Sequence, residues 1–165
     1  MILESNSSLE LDETDIRLLQ FLQNNASLNN QDLAAKAHIS PPTCLRRVKR
    51  LHELELIERQ VAVLDADRLK SVIGAGLTAI IEVTLTEQTE EVLAAFETRA
   101  STDASVQQCY RVSPGPDLIL IVQVRDMPAY LALAQRLFTQ DTKVRNVKAF
   151  FSVKRAKFST SLAWI

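Results

Sequence analysis

Arg46, Arg47, Lys49 and Arg50 place four cations within five positions, inside the stretch SPPTCLRRVKRLHEL over residues 40–54. Cations at that density do one of two things: they solvate the outer face of a helix, or they grip an array of phosphates. Arginine suits the second role, because its planar fork matches phosphate oxygens and guanine edges alike. The chain as a whole has a formal net charge of −1, from 19 Lys and Arg against 20 Asp and Glu. The cluster is therefore a local excess, and charge distribution matters more than the sum. A helical wheel advancing ~100° per residue from Leu45 gathers Cys44, Val48 and Leu51 with it on one broad side. Arg46 and Arg50 fall opposite, flanked by Thr43 and Arg47, with Lys49 at an edge. Acidic residues follow only at Glu53, Glu55 and Glu58. A merely solvated helix interleaves the two signs to make i,i+4 pairs.

Other chemistry is sparse. Cys44 and Cys109 are the two cysteines, and no CxxC or Cys/His cluster accompanies them. Both read as core thiols, and no metal site or cofactor is expected. Two histidines leave little for acid–base work, and no Ser/His/Asp or Cys/His arrangement is recognisable. His52 falls on the apolar side of the wheel and reads as a packing residue. Glu90 and Glu91 open a helix, where they favour its dipole. An enzyme is not expected. With 47% hydrophobic and 24% charged residues, the composition is that of a soluble globular protein. No apolar run approaches the ~20 residues that cross a bilayer. The start, MILESNSSLELDE, has no basic segment leading into an apolar core, so no secretory signal is read and the cytoplasm is expected.

The elements that must position the cations follow from periodicity. Residues 1–10 read as a loose polar tail. Leu11, Ile16, Leu19 and Leu22 recur at helical spacing behind Asp12, a fitting N-cap, and this helix ends near Asn24–Asn25. A second short helix fits Asn30–Ala37, capped by Asn29 or Asn30, with Leu33, Ala34 and Ala37 inward. His38-Ile39 makes a turn, and Ser40-Pro41 signals a third helix running to about Leu54. Ile57–Leu64 alternates weakly and predicts one or two short strands. Residues 65–76 show no period beyond one helical turn and read as a linker. Beyond it come a strand at Leu77–Thr86 with Ile81, Val83 and Leu85 on one face, a helix at Glu90–Ala100, and a strand at Val106–Val112. The turn SPGPD, a buried strand at Leu118–Val124, and a helix at Pro128–Phe138 with Leu131, Ala134, Leu137 and Phe138 inside come next. A strand at Val144–Lys154 and a short one at Ser159–Trp164 close the chain. The fold class is α+β, with residues 77–165 forming a ferredoxin-like βαββαβ domain.

Two short capped helices ahead of the basic helix match a helix-turn-helix, whose second helix enters the major groove with its N-terminal part. The turn of such motifs requires a left-handed residue, often glycine. Here His38 stands there, and histidine is among the residues that tolerate positive φ.

The segments LDETDIRLLQFLQ and LAAKAHISPPTCLRRVKRLHELELIER resemble the DNA-binding half of the leucine-responsive regulatory protein/AsnC family, the feast/famine regulators. The pattern S-P-x-x-C-L-x-R-V-x-x-L carries most of that likeness. Leu77–Thr86, Cys109–Val124, Asp126-Met127 and Phe150–Leu162 extend it to the second half. The resemblance implies a winged helix-turn-helix over 11–64, three helices plus a short β wing, joined by the linker to an effector and oligomerisation domain. It implies Ser40, Pro42, Thr43, Arg46, Arg47 and Arg50 on the DNA-facing helix, which Lys49 joins from its place on the wheel. It further implies pseudo-palindromic promoter DNA as partner, an amino acid or related metabolite as effector, and homodimers assembling to tetramers or octamers at the nucleoid. Ser113, Pro114, Gly115, Pro116 and Asp117 fall at the loop that contributes to the family's amino-acid pocket. That loop reads Thr/Ser-Gly-x-x-Asp in the family, so Pro114 holds the usual glycine position and removes a backbone donor. The segment reads equally as a tight hairpin turn stiffened by two prolines. Lys143, Arg145, Lys148, Lys154, Arg155 and Lys157 make the C-terminal segment basic, and Phe150, Phe151, Phe158 and Trp164 suggest a subunit interface there at least as strongly as a core. An architectural DNA-compacting oligomer with little effector response is the alternative reading.

Overall fold

The computed structural model describes residues 10–74, 76–163 and 165. Residues 1–9 of the expected tail, and Trp164, lie outside them. The chain separates into two compact units, one reaching to Val63 together with Lys157–Ile165, the other Leu64–Ala156.

The first unit is built on three helices whose starts are fixed by short polar side chains. Helix α1 (Glu13–Asn24) opens on a capping box: the Asp12 carboxylate accepts from the Asp15 N–H at 2.9 Å, and the Asp15 carboxylate accepts from the Asp12 N–H at 3.4 Å. Helix α2 (Asn30–Ala37) is capped by Asn29, which accepts from the Asp32 N–H at 2.9 Å. It ends on His38 at φ 56°, ψ 44°, the left-handed turn expected of that residue. Helix α3 (Pro41–Glu53) starts with Ser40 as N-cap and proline at its head. Leu18, Leu22, Leu33, Ala34, Ala37, Cys44 and Leu51 form the core between them.

Two expectations for the following stretch fail. No strand forms over 57–64 among the described residues, so the β wing is missing. A strand exists only through a ladder, a lone ribbon is marginal, and Val61, Val63 and Leu64 stay exposed with nothing to pair against. The stretch 65–76, expected as a linker, carries helix α4 (Ala66–Ile73) instead. Its caps explain it: Asp65 accepts from the N–H groups of Asp67 and Arg68, and Gly74 closes the helix at φ 69°.

The second unit is a four-stranded antiparallel sheet in the order β2-β3-β1-β4, formed by β1 (Leu77–Leu85), β2 (Val106–Arg111), β3 (Leu118–Val124) and β4 (Val144–Phe151). Helix α5 (Glu90–Thr102) joins β1 to β2, and α6 (Met127–Ala134) joins β3 to β4. This is the expected βαββαβ order. Ala79, Ile81, Val83 and Leu85 of β1 pack with Leu118, Leu120 and Val122 of β3 against Leu93, Phe96 and Ala100 of α5. Strand alternation turns Ile80, Ile119, Ile121, Tyr110 and Phe150 to the opposite face, where Ile80 pairs across to Ile121 and Phe150 and Tyr110 pairs to Ile119.

Differences of detail have local causes. Leu131, expected inside, is 61% exposed, whereas Leu133 is fully buried. Helix α6 continues into a π-helical turn at Gln135–Thr139, and this wider turn brings both Leu137 and Phe138 into the core. Strand β4 stops at Phe151, opposite Ala79 near the start of β1. No strand follows over 159–163 among the described residues.

His38 is exposed and sits in the left-handed region, where a side chain costs about 1 kcal/mol. His38→Gly is expected to stabilise the first unit by up to about 1 kcal/mol, and His38→Val to destabilise it, as read from urea unfolding midpoints.

Candidate nucleic-acid interface and effector loop

Helix α3 is held by its own inward residues and by carboxylates of α1. Cys44 and Leu51 are buried and Val48 packs against the same core. At the helix head, the Ser40 hydroxyl lies 2.8 Å from that of Thr43 and accepts from the Thr43 N–H at 3.4 Å. The side chain of Asn30 donates to the Pro41 carbonyl at 2.9 Å, fastening α2 to the start of α3.

The four cations divide into two pairs. Arg46 and Lys49 are exposed, beside exposed Pro42. Arg46 forms no ion pair among the described residues, and Lys49 reaches only Glu53, at 3.6 Å. Arg47 and Arg50 turn toward α1. The Arg47 Nη1 donates to Asp15 at 2.8 Å and lies 2.7 Å from Asp12, while the Arg50 Nη1 donates to Asp15 at 3.0 Å. Arg50 also donates to the Glu10 carbonyl at 2.8 Å. Asp15, 1% exposed, is the buried charged residue at the centre of this network. Its two arginine partners and the hydrogen bond it accepts from the Asp12 N–H satisfy the rule that buried charge needs pairing. The hydrogen bond from the Asp15 N–H, and then the Arg47 guanidinium, hold the Asp12 carboxyl below its ordinary pKa. Asp15, and then Asp12, raise that of Arg47.

The wheel thus needs re-centring. Leu45, expected among the packed side chains, is 62% exposed, and His52, expected as packing, is exposed as well. The true inward axis runs through Cys44, Val48 and Leu51, which places Arg47 and Arg50 on the flank facing α1. Asp12 entered the sequence reading only as a cap. The spacing of Asp12 and Asp15, one turn apart on α1, was the available signal for their second role.

In the second unit the loop 113–117 is tied to β1 by its last residue. The Asp117 Oδ2 accepts from the Leu85 N–H at 2.6 Å and from the Gln88 side chain at 3.4 Å, and the Asp117 N–H donates to the Val83 carbonyl at 3.0 Å. Ser113, Pro114 and Gly115 are exposed, with Pro116 and Asp117 half-buried. Gly115 takes φ 124°, a conformation open only to glycine, which accounts for glycine standing one place after Pro114. Glu90 joins Glu97 around Arg111, at 2.6 and 2.8 Å, clamping α5 to β2; this pairing lowers the Glu90 pKa. Of the C-terminal cations, Lys154 and Arg155 line a cleft of about 310 Å³ with Lys70, Arg125 and Asp67 between α4 and the sheet end.

A capped helix-turn-helix with an outward basic helix, accompanied by a separate sheet-and-helix unit, defines a DNA-binding regulator with a sensor domain. Residues 11–52 match the AsnC-type helix-turn-helix domain and residues 78–162 the Lrp/AsnC ligand binding domain. The chain is 34% identical over 145 residues to the Bkd operon transcriptional regulator of Pseudomonas aeruginosa, covering 88% of this chain and 92% of that one. An AsnC family transcriptional regulator from Agrobacterium tumefaciens has a solved structure similar to it at 30% identity and TM-score 0.80, over 92% of this chain and 96% of that one. A transcriptional regulator of Neisseria meningitidis, solved as a complex with L-Met, is similar at 28% identity and TM-score 0.80, over 93% and 96% of the two chains. The chain belongs to the Lrp/AsnC family and is a DNA-binding transcriptional regulator. Among the described residues no helix is long and apolar enough to cross a membrane.

Breaking a buried ion pair from one side leaves charge without compensation. Asp15→Asn is expected to destabilise the first unit by about 3 kcal/mol, seen as a lower urea midpoint for the helical signal, with the second unit's transition unmoved.

Proposed function

We propose that the protein binds promoter DNA through α3 as a homo-oligomer and adjusts that binding to an amino acid or a closely related metabolite. The observation that carries the first part is the presentation of Arg46 and Lys49, with Ser40, Pro42 and Thr43 at the helix head, on a helix whose inward face is packed and whose flank is ion-paired to α1. Arg46 is the base-edge reader in this reading; Arg47 and Arg50 hold the helix and lend charge toward the backbone. Position at the nucleoid follows from DNA binding.

Support for an effector comes from the match of residues 78–162 to a ligand binding domain and from the L-Met found with the Neisseria meningitidis relative. The loop Ser113, Pro114, Gly115, Pro116 and Asp117 is the proposed point of contact. Because the Asp117 carboxylate already serves the Leu85 N–H, its remaining oxygen is the one offered to an α-amino group. Support for the oligomer comes from the uncovered sheet face: Ile80 is 42%, Tyr110 51% and Phe150 52% exposed. A contiguous apolar face of this kind is what subunit interfaces cover.

Gel-shift titrations on a promoter fragment selected from genomic DNA and on random duplex, with and without each amino acid, test the reading. Arg46→Ala is expected to weaken selected binding by about 1–3 kcal/mol; unchanged binding overturns the assignment of α3. An amino acid that shifts selected binding supports the effector, whereas equal affinity for both duplexes and no amino-acid response favours the DNA-compacting alternative. Phe150→Asp is expected to move the protein toward monomer in light scattering, and an unaltered mass counts against that face.

A further inference from the structure

We propose that Asp12 is a specificity-determining residue of the DNA-reading surface: its carboxylate occupies the Arg47 guanidinium that a DNA phosphate would otherwise take, and so holds down sequence-independent binding. The inference rests on the reading of α3 as the DNA-contacting helix.

Arg47 has two carboxylate partners of different kinds. Asp15 meets it at 2.8 Å from a side chain only 2% exposed, which no solute can displace without unfolding the helices. Asp12 meets it at 2.7 Å from a side chain 53% exposed, at the surface. A phosphate arriving at the α1 flank of α3 competes with Asp12 and not with Asp15. Random duplex, held by charge alone, gains from each cation that can release a counterion; an arginine already matched by a carboxylate contributes little. A duplex seated by base contacts presents one phosphate in a fixed place, and its other contacts offset the displacement of Asp12. Repulsion between Asp12 and the phosphates acts in the same direction, against every loosely docked duplex. The device differs from a plain salt bridge in that it raises discrimination while lowering affinity.

The charge can be removed with the fold kept, because asparagine caps a helix as well as aspartate does. Fluorescence anisotropy of the full chain, on random duplex and on the selected promoter fragment over a salt series, compares wild type with Asp12→Asn and Asp12→Ser. Glu13→Gln is the control: it deletes the same charge one residue along, where no ion pair to Arg47 exists. For Asp12→Asn, random-duplex affinity is expected to rise about threefold to eightfold near 0.1 M salt, with the slope of log K against log salt steeper by up to about 0.9. The selected fragment gains less, so the ratio between the two falls; Asp12→Ser, which also keeps a cap, is expected to reproduce this, and it decides the matter if Asp12→Asn proves unstable. An unchanged slope and random affinity in both Asp12 variants overturn the inference, as does an equal rise in Glu13→Gln, which assigns the effect to bulk charge. Wild type that binds no duplex overturns the DNA reading and the inference together; wild type that binds, with unmoved Asp12 variants, overturns the inference alone.

Discussion

A carboxylate 1% exposed needs positive charge within reach, and in the first unit that need couples α1 to α3. Asp15 meets it with Arg47 and Arg50, from opposite ends of one helical turn of α3. The same carboxylate closes the capping box that starts α1. One side chain thereby fixes where α1 begins and how α3 is rotated against it. That rotation in turn decides which cations face outward. Arg46 and Lys49 are presented because Arg47 and Arg50 are held, and they are the cations left to the proposed DNA contact.

The second unit is organised by strand alternation instead. Its inner face is filled by the two helices, with Phe96 and Phe138 stacked at 6.4 Å between ring centroids. Its outer face leaves Ile80, Tyr110 and Phe150 exposed. The loop 113–117 stands outside both, yet it is fastened to the end of β1 through Asp117, a central strand of the sheet. A charge-assisted hydrogen bond to a strand-end N–H is stronger than a neutral one, so the loop and the strand terminus share one geometry.

Much of this was legible from residue order. Caps and periods located α1, α2 and α3 within a residue or so, because Asp12, Asn29 and Ser40 act locally and their chemistry does not depend on context. The left-handed turn at His38 was legible for the same reason. The sheet strands were legible because β1 and β3 bury one face and their alternation shows it. What failed was non-local. The strands expected over 57–64 needed a partner that residue order alone does not supply. Helix α4 rests on its two caps, Asp65 and Gly74, with no buried side chain to leave a stripe. The burial of Leu133 rather than Leu131 follows which stripe of α6 and the turn after it the sheet meets, Tyr130, Leu133, Ala134 and Leu137, and that is set by packing rather than by the helix alone. The arginine pairing depended on the crossing of α1 and α3, and a wheel drawn for one helix holds no information about which neighbour lies on its flank. At the loop, Gly115 and the prolines were legible as a turn, whereas the bond from Asp117 to Leu85 spans 32 residues of chain.

The division of labour along α3 has an evolutionary consequence. The residues that hold the helix, Ser40, Cys44, Arg47, Val48, Arg50 and Leu51, occupy its head, inward face and one flank. Pro42, Leu45, Arg46 and Lys49 lie on the exposed remainder and carry little of the domain's stability. Substitutions in that outer column are nearly free of a folding penalty, so, with that column as the proposed DNA-reading one, a duplicated copy can drift to a new operator without passing through an unfolded intermediate. The anchored arginines make the scaffold conservative and the outer column plastic, so that on the proposed reading of α3 one small fold can serve more than one promoter.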